Sequence, residues 1–129
     1  MRALRTLEAG EWRISEKAYF PGRVMPRHAH EQSNLTYFLS GAMTETAGHG
    51  HQVARAGAWV AKPAGTAHAN RVGPAGVRVL ELVHTAASPN LALTYAWRRG
   101  GPAALKFLRI YGELRRAAPD AAFVVSGLC

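Results

Sequence analysis

No stretch between Trp12 and about His84 runs far before a glycine or proline interrupts it, and between the breaks apolar and polar residues alternate. Short strands at such spacing predict an all-β sandwich or barrel. Trp12, Ile14, Ala18 and Phe20 share one parity of an opening strand. In Asn34 to Ser40, Leu35, Tyr37 and Leu39 alternate with Asn34, Thr36 and Phe38, and residues two apart on a strand face the same side. Gly41 is read as the end of that strand, with Ala42 to Thr46 pairing back across it. Gln52 to Arg55, a turn at Gly57 and the apolar run Ala58 to Ala61 follow, and Pro63 and Gly65 break the chain again. His68 to Val72 and Val77 to His84 supply two more strands.

After Ser88-Pro89 the period changes. Ala104, Phe107, Leu108, Tyr111 and Leu114 form one stripe of an amphipathic helix, with Pro102 near its first turn. Leu91 to Trp97 reads equally as a strand or a short helix. The closing AAFVVSGLC is apolar and lacks polar closing residues, which reads as a chain cut short. The expected organisation is a barrel over residues 1–88 and a helical extension over 89–129 that packs on it rather than folding alone.

At 129 residues the chain is expected to form one domain with a single core. No window approaches the roughly 18 consecutive apolar residues of a membrane span. The N-terminal stretch has no apolar signal core, so a cytoplasmic location without membrane association is expected. The one cysteine, Cys129, excludes an internal disulfide framework and has no base to make it a nucleophile. The formal charge of +8 raises nucleic-acid binding as a question. Its Lys and Arg are dispersed, however, with no run longer than Arg98-Arg99 and Arg115-Arg116, so direct nucleic-acid contact by this segment is not expected.

The chemistry concentrates in the histidines. His28 and His30 are one residue apart on a strand-like segment, which aims two imidazoles at one side. His68, after the Pro63/Gly65 turn, is placed to complete a facial set. Neutral imidazoles suit Zn, Ni, Cu, Mn or Fe and leave positions open for water or a ligand. A polar lining that binds a small molecule without metal stays open as the alternative. Asn34, Tyr37 and Trp59 are candidate ligand-binding residues, and Phe38 and Met43 could line the same cavity. His49 and His51 sit in an expected hairpin tip, where a solvent-exposed pair is the simpler reading, and His84 ends a strand. Glu45 and Glu81 could act as acid or base only if they face inward. No catalytic residue is assigned.

The spacings resemble the cupin motifs. Gly22, five residues, His28-X-His30, three residues, Asn34, six residues, Gly41 is similar to the first; Gly57, five residues, Pro63-X-Gly65, two residues, His68 is similar to the second. The resemblance implies a small cupin barrel, a double-stranded β-helix or jelly roll, in which His28, His30 and His68 hold one divalent transition metal, with Zn or Ni favoured over Mn, Fe or Cu. The sequence departs from the pattern at Asn34, where a Glu is expected. A neutral amide removes one compensating charge from the ion and counts against redox chemistry. HAHEQSNLTYFLSGAMTE followed by WVAKPAGTAHAN, and then the helical tail, further resembles the sensory domains of AraC-type transcription regulators. That implies a ligand-sensing homodimer whose DNA-binding part lies beyond Cys129. The alternative is a small single-domain metal-dependent cupin enzyme of isomerase or dioxygenase type.

Overall fold

The computed structural model describes residues 1–48, 50–86 and 93–117. Eight strands precede one helix: β1 (Arg2–Ala9), β2 (Trp12–Tyr19), β3 (Val24–His28), β4 (Asn34–Ala47), β5 (Gly50–Arg55), β6 (Ala58–Lys62), β7 (His68–His84), β8 (Ala96–Arg99) and α1 (Gly101–Ala117). Every pairing is antiparallel, and the strand order is β1-β2-β7-β4-β6-β8, with β3 added to β7 and β5 to β4. The all-β barrel with a C-terminal helix expected from the punctuated strands is what forms.

Two long strands carry the barrel, where the sequence suggested four short ones. β4 runs through Gly41 for 14 residues, and β7 runs through Gly73–Gly76 for 17. Gly41 bends its strand without ending it. Its φ is +79°, and a Cβ there would stand 2.0 Å from the Gly76 carbonyl oxygen, so only glycine lets β4 and β7 touch at this point. The register shifts on either side of Gly41 are those of bulged strands, which bend while staying paired. The second half of β4 then pairs with β5 instead of folding back on its own first half.

Alternation sorts the side chains onto two faces. Phe38, Val60, Val72, Val77 and Val79 pack inside the barrel with Met43. Leu7, Ile14, Tyr37, Leu80 and Leu82 pack on the outer face, where Ala104, Phe107 and Leu114 of α1 cover them. Burial of each large apolar side chain of this kind is worth about 1.5–3 kcal/mol. Leu108, placed on the buried stripe by helical spacing, is instead 46% exposed; Ile110 and Tyr111 take the inner flank.

One strand was not expected, and another settles a segment that read equally as strand or helix. β1 buries only Leu7 and Ala9, its remaining side chains being exposed or half-buried, so hydrophobic periodicity barely marks it. β8 pairs with β6 along Ala58 to Ala61. This resolves part of the ambiguous 91–97 segment as strand and draws residues beyond 88 into the sheet. Residues 91 and 92, the tail from 118 and Cys129, and His49 lie outside the described residues.

α1 is tied to the barrel by a buried carboxylate. Glu16 is 1% exposed, pairs with Arg5, stands 3.2 Å from the Arg78 guanidinium, and accepts a hydrogen bond from Tyr111 Oη of the helix at 3.0 Å. Arg115 and Arg116 close the last turn, where cations suit the helix dipole.

Candidate metal centre and ligand cavity

β3 and β7 bring the three histidines together. His28 and His68 are directly opposed in the β3–β7 register, and His30 follows two residues after His28. The ring centroids are 4.4 Å apart for His28–His68, 4.9 Å for His28–His30 and 5.3 Å for His30–His68. One ligating nitrogen from each lies within 4.8 Å of the others. His68 is buried, His28 half-buried and His30 exposed.

Backbone carbonyls orient two of the rings. His28 Nδ1 lies 2.6 Å from the Pro26 oxygen and His68 Nδ1 3.0 Å from the Thr66 oxygen. A carbonyl only accepts, so each Nδ1 carries a proton, and in the neutral imidazole the lone pair then sits on Nε2. This is the arrangement in which outer hydrogen bonds set the tautomer of a metal-ligating histidine. Though His30 is open to solvent at the rim, partial desolvation among its neighbours, followed by the His28 ring and Lys62, holds its imidazole below its ordinary pKa. Burial, followed by Lys62, does the same for His68. Both therefore stay neutral at physiological pH, the form that donates to a metal. Donor type, convergence and tautomer all fit a divalent transition ion.

The site opens on a cavity of about 570 Å³, within the usual range for small-molecule sites. Asn34, buried on β4, is part of its wall beside Thr36, whose hydroxyl donates to Asn34 Oδ1 at 3.2 Å. Met43 lines it as expected. Tyr37 and Trp59, expected as ligand contacts, do not. Their parity puts them on the outer face, where Tyr37 stacks on Phe107 at 5.3 Å and Trp59 lies 5.5 Å from the same ring. Phe38 faces inward but is closed off, stacked on Trp97.

Of the two strand carboxylates, Glu81 lines the cavity and accepts from Lys17 Nζ at 2.6 Å. Glu45 is wholly buried and accepts from Lys62 Nζ at 2.8 Å, Asn70 Nδ2 at 2.9 Å and Tyr95 Oη at 2.8 Å. Tyr95 in turn accepts from Trp97 Nε1 at 2.7 Å. Burial chiefly, with help from Glu45, pushes the Tyr95 hydroxyl up to about 12, so it remains a donor. Held by three donors and wholly buried, Glu45 braces Lys62 and Asn70 in the cavity wall. The sequence did not single out Lys62, Lys17 or Asn70 as wall residues; their parity with Asn34 and His68 along paired strands is the signal that marks them.

His51 is exposed on β5, apart from the three-histidine set. His84 pairs with Glu11 at 3.2 Å and packs edge-on to Trp12, on the outer side of the sheet.

Residues 4–87 match the ChrR cupin-like domain. The chain belongs to that family. The match is to this branch of the cupins, and the AraC-type resemblance is not part of it. No curated protein matches the chain in sequence. Solved structures share the fold at low identity. AerE from Microcystis aeruginosa has a TM-score of 0.61 at 14% identity, covering 73% of this chain and 45% of that one. A cupin superfamily protein from Desulfitobacterium hafniense has a TM-score of 0.57 at 15% identity over 66% of this chain and 77% of that one. An oxalate decarboxylase variant from Bacillus subtilis has a TM-score of 0.53 at 16% identity over 57% of this chain. The present chain spans about a fifth of that decarboxylase, 21%. Among the described residues no helix is long and apolar enough to cross a membrane.

Proposed function

We propose that this cupin domain is the metal-holding, small-molecule-sensing part of a transcription regulator of the kind the AraC-type resemblance implies, working as a homodimer. The observation that carries the reading is the convergence of His28, His30 and His68, two of them with Nε2 freed by backbone carbonyls. Zn or Ni is the expected ion. It would be held by the three imidazoles, leaving positions open toward the cavity, and when bound it supplies a Lewis-acidic anchor for a ligand donor atom.

β2 provides a path from cavity to helix. Lys17 faces the cavity and pairs with Glu81, while its neighbour Glu16 faces outward and holds Tyr111 of α1. A ligand that disturbs the Lys17–Glu81 pair acts on the strand that anchors the helix. A sensor requires loading to favour one helix arrangement over another. Leu105 and Leu108, exposed on the outer side of α1, are suited to the dimer contact in such an arrangement.

Hydrogen exchange on α1 and sedimentation, with and without zinc, test the reading. Changed protection across Ala103–Leu114 or a changed monomer–dimer balance on loading is expected. Loading that leaves both untouched, together with turnover of a bound molecule, would favour the small metalloenzyme instead.

A further inference from the structure

The wall of the cavity carries more positive charge than the histidine centre needs. Arg13, Lys17, Arg23, Arg27 and Lys62 line it against one carboxylate, Glu81. Strand register orders part of this wall. Arg13 of β2 opposes Val83 of β7, Val83 opposes Asn34 of β4, and Asn34 opposes Lys62 of β6. All four line the cavity, so one row across four adjacent strands has a cation at each end and a primary amide between them. Lys62 is pinned by Glu45 and Lys17 by Glu81, whereas no ion pair involves Arg13 among the described residues.

From this row we infer that the cavity's ligand is a small organic carboxylate, bound by Arg13, Asn34 and Lys62 next to the three histidines. The inference rests on the ligand-binding reading proposed above and names its ligand class. Arg13 offers a planar fork of N–H donors matched to a carboxylate, Asn34 an amide N–H, and Lys62 an ammonium already oriented by its buried partner. Positive walls around a concave site also concentrate anions. The amide at position 34 now acquires a purpose: a carboxylate there would stand between the two cations and repel the ligand, while Asn34 leaves the row positive.

Calorimetric titration of succinate and citrate, with succinamide as the neutral counterpart, tests this in the presence and absence of zinc. At least one of the two carboxylates should bind and succinamide should not. R13Q should weaken binding about tenfold, the size expected for losing a hydrogen bond to a charged group. N34E should weaken carboxylate binding while tightening zinc. Because Asn34 is buried and N34E can unfold the chain, R13Q at a half-buried position carries the test alone if it must. Equal binding of succinamide, unchanged affinity in R13Q, or no carboxylate binding at millimolar concentration would overturn the inference. A protein that takes up carboxylate through Arg13 but no zinc overturns the metal reading and leaves this one standing; zinc uptake without carboxylate does the reverse.

Discussion

His28 and His68 face each other across the antiparallel β3–β7 pair with ring centroids 4.4 Å apart, each donating Nδ1–H to a backbone carbonyl two residues earlier. The two residues come from motifs forty positions apart in the chain. Pairing β3 to β7 is therefore what makes the site, and the prediction follows that H68A abolishes zinc retention on gel filtration while H51A and H84A keep it. The loss in H68A should also remove any zinc-dependent rise in melting temperature, since metal stabilises only through the folded state.

Glu45 gives the fold an acid-sensitive joint. Burial alone would raise its carboxyl, but Lys62, with Asn70 and Tyr95, outweighs burial and holds it below the usual carboxylate value. A folded pKa lower than the unfolded one adds stability that is complete above the unfolded value, about 4.3, and is lost as pH falls through the folded one. Melting of the wild type should thus drop steeply below about pH 4. E45Q should flatten that drop and, at neutral pH, cost about 3 kcal/mol by leaving Lys62 unpaired; thermal melts across pH 2.5–7 check both, a range set by that same carboxylate value.

Gly41 admits no side chain. A Cβ 2.0 Å from Gly76 O on a residue at φ +79° combines a backbone clash with left-handed strain, so G41A should cost more than about 3 kcal/mol or fail to fold. Gly48, at φ +58° with nothing within 4 Å, supplies the comparison: G48A should cost only about 1 kcal/mol. Urea denaturation distinguishes the two.

The helix anchor separates into packing and hydrogen bonding. Phe107 contacts both Tyr37 and Trp59, so F107A should cost about 3–5 kcal/mol. Y111F removes one donor from buried Glu16, which retains Arg5 and Arg78, and should cost about 1–2 kcal/mol while raising hydrogen exchange in α1.

The histidine triad was legible from its cupin spacing, His28-X-His30 with His68, but not from strand period alone: β3 ends at His28, and His30 lies just beyond it. The barrel was legible from its glycine and proline punctuation. Parity, however, says which residues share a face and not which face is the inside. Tyr37 and Trp59 share a face with the helix-covered core, while Asn34 and Thr36 share the other with the cavity. The Glu45 knot joins β4, β6 and β7 to Tyr95, contacts of long sequence separation that no local pattern encodes. Gly41 was misread for a related reason: a glycine that ends a strand and one that lets two strands bend past each other look alike until the facing Gly76 is known.

X-ray absorption at the zinc edge of the zinc-loaded protein tests the central claim most directly. One zinc per chain is expected, with about three imidazole nitrogens at about 2.0–2.1 Å, reduced in H28A. A protein that holds no zinc after loading, or holds it without imidazole scattering, would contradict it.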